Sequence, residues 1–161
     1  MGDAAAAAPD PVIFRDATAQ DLPAFVALLA DDPLCAQRER IESPLPAIYT
    51  DAFAEMQGQP GNHLIVAADE TNQVQACLQL TFTPGIARQG MKRATIEGVR
   101  VAQAHRGTGL GTRLFEHAIA LACHAGCGMV QLTTDKDRPD AHAFYTKLGF
   151  TPSHTGMKRL L

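Results

Sequence analysis

The sequence predicts one mixed α/β domain, and three observations support this fold class. Segments with the two-residue period of a strand alternate along the chain with segments that have the 3.6-residue period of a helix. The length of 161 residues suits a single hydrophobic core. A composition of 46% hydrophobic and 19% charged residues is that of an ordinary soluble globular protein.

The first ten residues differ in composition from the rest of the chain. Residues 1–10 are rich in alanine, so we expect a disordered lead followed by a single domain over 11–161. This start lacks the basic region of a secretory signal, and no apolar run approaches the roughly 18 residues of a membrane span. These features predict a soluble, cytoplasmic protein with no membrane partner.

The first sixty residues are predicted to hold one strand and two helices. The strand is VIFRDA (12–17), and Thr18 with Asp21 then resembles a capping box that starts a helix. Apolar residues continue this helix at helical spacing, at Leu22, Phe25, Val26 and Leu29. A second helix is expected over 47–56.

The remaining elements begin with a hairpin. HLIVAAD (63–69) and the strictly alternating segment 74–82 flank the turn ETNQ, which predicts a pair of neighbouring strands. After a further strand and a glycine-rich loop, the pattern predicts a long helix, a buried strand, a short helix and a last strand, at 110–125, 129–134, 140–148 and 157–161.

The strand RATIEGVRV (93–101) breaks its own alternation. In a regular strand, Ile96 would lie on one face and both Val99 and Val101 on the other. Gly98 sits where the phase changes, which indicates a β-bulge. A bulge here would bend this strand away from its neighbour.

The segment RGTGLG (106–111) places three glycines in five positions between that strand and the long helix. The N–H groups of such a turn and the helix dipole form a phosphate cradle, to which Arg106 and Arg113 would add charge-assisted contacts. A Walker loop needs a lysine after its last glycine, and a dinucleotide loop needs glycine at the place of Thr112. A tight turn without a ligand remains the alternative.

Three segments together resemble the GNAT superfamily of acyl-CoA N-acyltransferases. RGTGLG fits its Q/R-x-x-G-x-G/A motif, IEGVRV is similar to its fourth strand, and AHAFYTKLGF is similar to its C-terminal A-x-x-F-Y-x-x-L-G-F segment. The resemblance implies one mixed, mostly antiparallel sheet with flanking helices, in which the fourth and fifth strands splay apart. It also implies that the pyrophosphate of acetyl-CoA lies on the loop and that the pantetheine arm bonds the backbone of Val99 and Val101.

The resemblance assigns the cofactor site to three parts of the chain: the splayed strand, the glycine loop and the last helix. The residues are Val99, Arg100, Val101, Arg106, Gly107, Thr108, Gly109, Leu110, Gly111, Thr112, Arg138, Ala141 and Phe144. Arg138 stands where many members carry an asparagine that bonds the pantetheine arm. We expect it to reach a phosphate or, with more weight, to be solvated at the surface.

Two residues are candidates for catalysis. Tyr145 matches the family tyrosine that protonates the departing thiolate, although it also lies on the apolar face of its helix, where packing is the alternative. Glu97 is a carboxylate in an apolar strand beside the bulge, and it could remove the proton of the amine. Its alternative is a strand residue that either faces solvent or forms an ion pair, with Arg100 as the suggested partner.

The acceptor and the partners are less specified. Six acids lie in the segment that the resemblance assigns to the acceptor pocket: Asp31, Asp32, Glu39, Glu42, Asp51 and Glu55. One hypothesis is therefore that the acceptor is a cationic amine, and a net charge of −3 argues against nucleic acid as a partner.

Cys123, His124 and Cys127 lie close together, but small helix residues are favoured over a zinc site, so no metal is expected. By analogy a homodimer is an alternative to a monomer, and a non-catalytic acyl-CoA sensor is an alternative to an enzyme.

Overall fold

The computed structural model describes residues 11–32 and 37–161, so the predicted lead over 1–10 lies outside the described residues. Five strands form one sheet in the order β1-β2-β3-β4-β5. The strands are β1 (Ile13–Asp16), β2 (Asn62–Ala68), β3 (Val74–Thr83), β4 (Arg93–Val101) and β5 (Met129–Leu132). The helices are α1 (Leu22–Ala30), α2 (Ala47–Gln57), the single turn α3 (Ala87–Gly90), α4 (Leu110–His124) and α5 (Pro139–Lys147).

The pairing of the strands confirms a mixed, mostly antiparallel sheet. β1 to β4 pair antiparallel with their neighbours in chain order, and the predicted hairpin is the β2–β3 pair. β5 pairs parallel with β4, after the crossover through α4. The α/β fold class predicted from the alternating periods is therefore confirmed.

The predicted bulge is present in β4. Cys77 pairs with Arg100 and Gln79 pairs with Glu97, so two residues of β4 face one residue of β3. Gly98 has φ +60°, a conformation that glycine adopts without steric cost. The extra residue shifts the phase, which returns the side chains of Val99 and Val101 to the same core as Ile96.

The bulge coincides with an opening in the sheet. The β4–β5 pairing runs from Arg93↔Met129 to Ile96↔Leu132 and stops there. Among the residues that the structure describes, no strand pairs with the rest of β4, over 97–101, on that side, and we call this region the β4–β5 opening. Ala102 N–H donates to Gln75 O at 2.8 Å, so its backbone faces β3. Because backbone groups alternate along a strand, those of Val101 face the opening.

The helices bury one side chain cluster on each face of the sheet. α4 covers one face with Leu114 and Phe115, both fully buried, and α5 packs on the same side. α1 and α2 cover the other face, where Phe25 and Phe53 pack against Cys77. The two predicted N-terminal helices thus flank the sheet opposite the two C-terminal ones.

A 3-10 turn over Ala19–Asp21 starts at the predicted capping box and leads directly into α1. Thr18 donates its N–H to Asp21 Oδ2 at 2.7 Å and its O–H to the same oxygen at 2.9 Å. Arg15 adds two bonds to the same carboxylate, at 2.7 and 2.9 Å. Hydrogen bonding to Arg15 lowers the pKa of Asp21 to about 2, against the opposing effect of burial.

The last predicted strand is wrong. Residues 148–161 form neither helix nor strand, and Met157, Leu160 and Leu161 are exposed. These apolar residues follow one another at spacings of three and one, so they do not present the alternating face that a strand would bury. Within the described ranges, no helix combines the length and the apolar character needed to cross a membrane.

Candidate active site

The glycine loop has the conformation of an anion cradle. Gly107 and Gly109 have φ +79° and +86°, values that disfavour any other residue, and Gly109 is the N-cap of α4. The first N–H within α4 that follows the helical pattern is that of Arg113, which donates to Gly109 O at 3.1 Å. The three N–H groups before it have no acceptor inside the helix, at Leu110, Gly111 and Thr112. These N–H groups form the positive end of the helix dipole, where an anion is stabilised.

The surroundings of the loop tie it to α5 and β4. A Cβ placed on Gly111 would lie 3.5 Å from Val101 Cγ2 and 3.6 Å from Phe144 Cζ, which is ordinary contact. Phe144 in turn meets Phe115 with the ring centroids 5.5 Å apart. Within the loop, the Thr108 hydroxyl donates to His105 O at 2.8 Å, and this bond stabilises the turn.

A cleft of about 290 Å³ borders the β4–β5 opening. It is lined by two aspartates, three arginines and two valines: Asp31, Asp32, Val99, Arg100, Val101, Arg106 and Arg138. Five of these seven were assigned to the cofactor by resemblance, and the structure brings these five together. The two aspartates come from the residues that follow α1.

Two guanidinium groups cover the backbone carbonyls that the opening exposes. Arg106 Nε donates to Val101 O at 3.0 Å, and Arg100 Nη1 donates to Val99 O at 2.7 Å. These are the carbonyls whose residues were predicted to bond the pantetheine arm. A ligand that bonds these carbonyls therefore competes with the side chains of Arg100 and Arg106.

The aspartates bind the arginines in two separate arrangements. Asp32, with 9% of its side chain exposed, accepts a bond from Arg138 at 2.5 Å and lies 3.2 Å from Arg100. Asp31, with 44% of its side chain exposed, pairs with Arg106 at 2.8 Å. The expectation that Arg138 is solvated is wrong, because a buried carboxylate anchors it.

These ion pairs also change the interpretation of the acidic segment. Besides the two aspartates, Glu39 accepts a bond from the Tyr49 hydroxyl at 2.9 Å and Glu42 pairs with Arg40 at 2.8 Å. The remaining two acids of that segment are exposed on α2, at Asp51 and Glu55. Sequence reasoning missed the role of Asp32. Its signal was the position of two acids directly after a helix, where the dipole opposes negative charge.

Tyr145 lies on the α4 side of the sheet among aromatic rings. Its ring centroid is 5.5 Å from that of Phe115 and 5.4 Å from that of Phe144. Burial raises the pKa of the Tyr145 hydroxyl, and the charges of Arg100 and Arg138 partly oppose this. The hydroxyl is therefore protonated at neutral pH and can donate, and the arginines of the cleft act on it.

Glu97 lies on the opposite face of the sheet. It is exposed, and it pairs across the ladder with Gln79, on the face that α1 covers. Its suggested partner, Arg100, forms its ion pair with Asp32. The candidate base and the candidate acid thus lie on opposite faces of the sheet.

The other predicted features are placed without a chemical role. Ala141 lies on α5, one turn before Tyr145. Arg113 stacks over the ring of Phe14 at 5.5 Å, so its guanidinium contacts β1. Within residues 11–32 and 37–161, no group of three or more His, Cys, Asp or Glu side chains could hold a metal ion.

Comparison with known proteins agrees with this architecture. The acetyltransferase (GNAT) family model matches residues 25–150. A structure from Bacillus halodurans C-125, described as a transcriptional regulator, is 49% identical with a TM-score of 0.90, covering 94% of this chain and 100% of that chain. A Trypanosoma brucei acetyltransferase structure is 26% identical with a TM-score of 0.75, covering 94% and 100%.

A curated relative points in the same direction. The probable glucosamine 6-phosphate N-acetyltransferase 2 of Oryza sativa subsp. japonica is 29% identical over 130 residues, which are 78% of this chain and 73% of that protein. The family match spans most of the chain and includes the bulged strand, the glycine loop and Tyr145. The chain therefore belongs to the acetyltransferase (GNAT) family.

Proposed function

We propose that this protein is an N-acetyltransferase that moves the acetyl group of acetyl-CoA to a primary amine of a small molecule or peptide. The amine attacks directly, within a ternary complex. The observation that carries the proposal is the β4–β5 opening beside the glycine loop at the start of α4. Glu97 lies on one face of the sheet, and Tyr145, whose hydroxyl keeps its proton at neutral pH, packs on the other.

The cofactor would use the two backbone features of the site. The diphosphate would take the N–H groups at the start of α4, in the loop of Gly107 and Gly109. The pantetheine amides would bond Val99 and Val101, in place of the arginine side chains that cover their carbonyls. The thioester would then lie in the opening, within reach of both faces of the sheet.

The reaction needs a neutral amine and a stabilised leaving group. Glu97 would remove a proton from the ammonium group of the acceptor, directly or through water, and the neutral amine nitrogen would then bond the thioester carbon. The carbon–sulfur bond would break, and the thiolate would take a proton from Tyr145. The second proton that the nitrogen loses as the amide forms would restore the Tyr145 hydroxyl through water. Because a thiol has a pKa of about 8.5, its thiolate leaves readily, so Tyr145 assists rather than enables the step.

The direct test is thiol release from acetyl-CoA in the presence of a panel of amines. The panel holds polyamines, amino acids, aminoglycosides, and peptides with free N-termini or lysines. We expect release that depends on one amine class. Release with none of them, from protein shown to bind acetyl-CoA, would contradict the enzymatic proposal for these acceptors.

The proposed roles have separate signatures. Tyr145→Phe should lower kcat by about 10- to 100-fold with little change in the Kd of acetyl-CoA. An unchanged turnover number would remove Tyr145 from the mechanism.

Glu97→Gln should lower the rate most at low pH, where less free amine exists, and a pH profile identical to that of wild type would exclude Glu97 as the base.

A second function is favoured by one comparison. The 49% identical relative is described as a transcriptional regulator, which fits a non-catalytic module that binds acyl-CoA and controls a partner. Such a module would bind acetyl-CoA normally, and its binding would survive Glu97→Gln and Tyr145→Phe, but no amine would release thiol. The same assay and a calorimetric titration therefore separate the two functions.

A further inference from the structure

Asp31 and Asp32 are adjacent aspartates that differ in how easily each can exchange its arginine partner. The side chain of Asp32 is 9% exposed and is bound by both Arg100 and Arg138. The side chain of Asp31 is 44% exposed and is paired with one arginine, Arg106, which is itself 50% exposed. Exposed ion pairs are weak and exchange easily, whereas a buried one that loses a partner is costly. Asp31 is therefore the aspartate that can exchange.

Arg106 has a second attraction close by. It opens the glycine loop, beside the N–H groups at the start of α4 that favour an anion. In this structure its guanidinium instead spans from Val101 O, at 3.0 Å, to Asp31 Oδ2, at 2.8 Å. A phosphate offers several charge-assisted bonds to an arginine and competes well with one exposed carboxylate. Capture of Arg106 by a phosphate would uncover both Val101 O and Asp31.

The charge balance of the cleft changes with that capture. Its lining holds three arginines and two aspartates, a net charge of +1. With Arg106 matched to phosphate, the remaining two arginines and two aspartates balance, and Asp31 is the carboxylate without its cation.

The position of Asp31 is on the acceptor side of the opening. It follows α1, whose Leu29 Cδ2 would lie 3.9 Å from a Cβ at Gly98, so the end of this helix covers the bulge. Glu97 is on the same face of the sheet. An amine that approaches Glu97 would therefore pass the end of α1.

We propose that Asp31 is a specificity-determining residue that exchanges partners. It holds Arg106 while the cofactor is absent, and it binds an ammonium group of the acceptor once the phosphates of acetyl-CoA have taken Arg106. The inference rests on the proposed function and assigns the acceptor to diamines and larger polycationic amines. The attacking nitrogen must be neutral, so the carboxylate binds a second, protonated nitrogen of the same molecule.

The first test measures the exchange without any acceptor. Coenzyme A is titrated calorimetrically into wild type, Asp31→Asn and the matched control Glu70→Gln, an exposed acid in the β2–β3 turn. Asp31→Asn should bind coenzyme A up to about fivefold more tightly, because Arg106 is no longer held back. The gain should vanish in an Arg106→Ala background and be absent in the control. Equal or weaker binding by Asp31→Asn overturns the exchange.

The second test measures acceptor preference. The kcat/KM for 1,4-diaminobutane is compared with that for butylamine, which lacks the second nitrogen. Measured at saturating acetyl-CoA, wild type should prefer the diamine by at least about tenfold, and in Asp31→Asn the ratio of the two kcat/KM values should fall to about one. Glu70→Gln should keep it. No preference in wild type, or one that survives Asp31→Asn, overturns the acceptor assignment.

The two proposals fail in different ways. Acetyl transfer to amines that is indifferent to Asp31 overturns the exchange and leaves the enzyme standing. Absence of thiol release with every amine contradicts the enzyme itself, whatever the binding of coenzyme A shows.

Discussion

The two ends of α1 carry the same chemistry, aspartates bound by arginines, with different results. At the N-terminal end, Asp21 receives two bonds from Arg15 and two from Thr18. At the C-terminal end, Asp31 and Asp32 bind three arginines that come from β4, the glycine loop and the N-cap of α5. The first cluster joins residues close in sequence, and the second joins four separate parts of the fold.

The helix dipole explains why the two clusters differ. A carboxylate before the first turn is stabilised by the positive end of the dipole, so Asp21 adds to helix stability. Carboxylates after the last turn are opposed by the negative end, so Asp31 and Asp32 are unfavourable for the helix alone. Their compensation comes from arginines that line a cleft. Asp31 and Asp32 do not favour the stability of the helix, but they line the cleft. We therefore assign the functional role to the C-terminal end of α1.

The largest expected effect tests the N-terminal end. Asp21→Asn should lower the free energy of unfolding by about 2 kcal/mol at neutral pH, because the pKa of Asp21 is held at about 2 and its side chain is 6% exposed. The folded-state pKa lies below the unfolded one, so this stability is present above about pH 4 and is lost as the pH falls towards 2. Urea denaturation across this range should show the gap to wild type closing.

The control for this variant is Glu70→Gln, which should leave stability within about 0.5 kcal/mol of wild type. Coenzyme A affinity should be the same in both variants. A weakened affinity in Asp21→Asn would mean that the N-terminal cluster also shapes the cleft, and it would break the division between the two ends.

A smaller effect tests burial within the C-terminal end. Asp32→Asn should lower the free energy of unfolding by about 1 kcal/mol, since the bonds lost to Arg100 and Arg138 outweigh the relief of the dipole. Asp31→Asn is the matched neighbour and should change it by less than about 0.5 kcal/mol. Denaturation of both variants at pH 7 checks the difference, and equal losses would contradict the separation of a fixed and an exchangeable aspartate.

The smallest expected effect tests whether the charges of the cleft arginines act on the Tyr145 hydroxyl. Arg138→Gln should raise the pKa of Tyr145 further, because it removes one of the charges that oppose the effect of burial. The chain has two tyrosines and no tryptophan. Ultraviolet titration in a Tyr49→Phe background therefore reports Tyr145 alone. An unchanged or lowered pKa would show that Arg138 acts only on Asp32.

Much of the fold was predictable because its signals are local. The slipped phase at Gly98 located the bulge, and the three glycines between a strand and a helix located the loop at the start of α4. The capping box at Thr18 marked the 3-10 turn that leads into α1. The predicted strand over 157–161 is wrong because its apolar residues lack the two-residue alternation that a strand needs.

The sequence by itself determined the order of the elements as far as α5 except for the single turn α3, and it also determined the bulge, the loop and the identities of Glu97 and Tyr145 as candidates. Each of these depends on residues close together in the chain. Only the tertiary structure decided what the charged side chains do. Asp32 and Arg138 are 106 positions apart, and no local pattern pairs them. Long charged side chains bind the partners that the packed helices and strands bring within reach, so the arginine-lined cleft depends on the assembled fold.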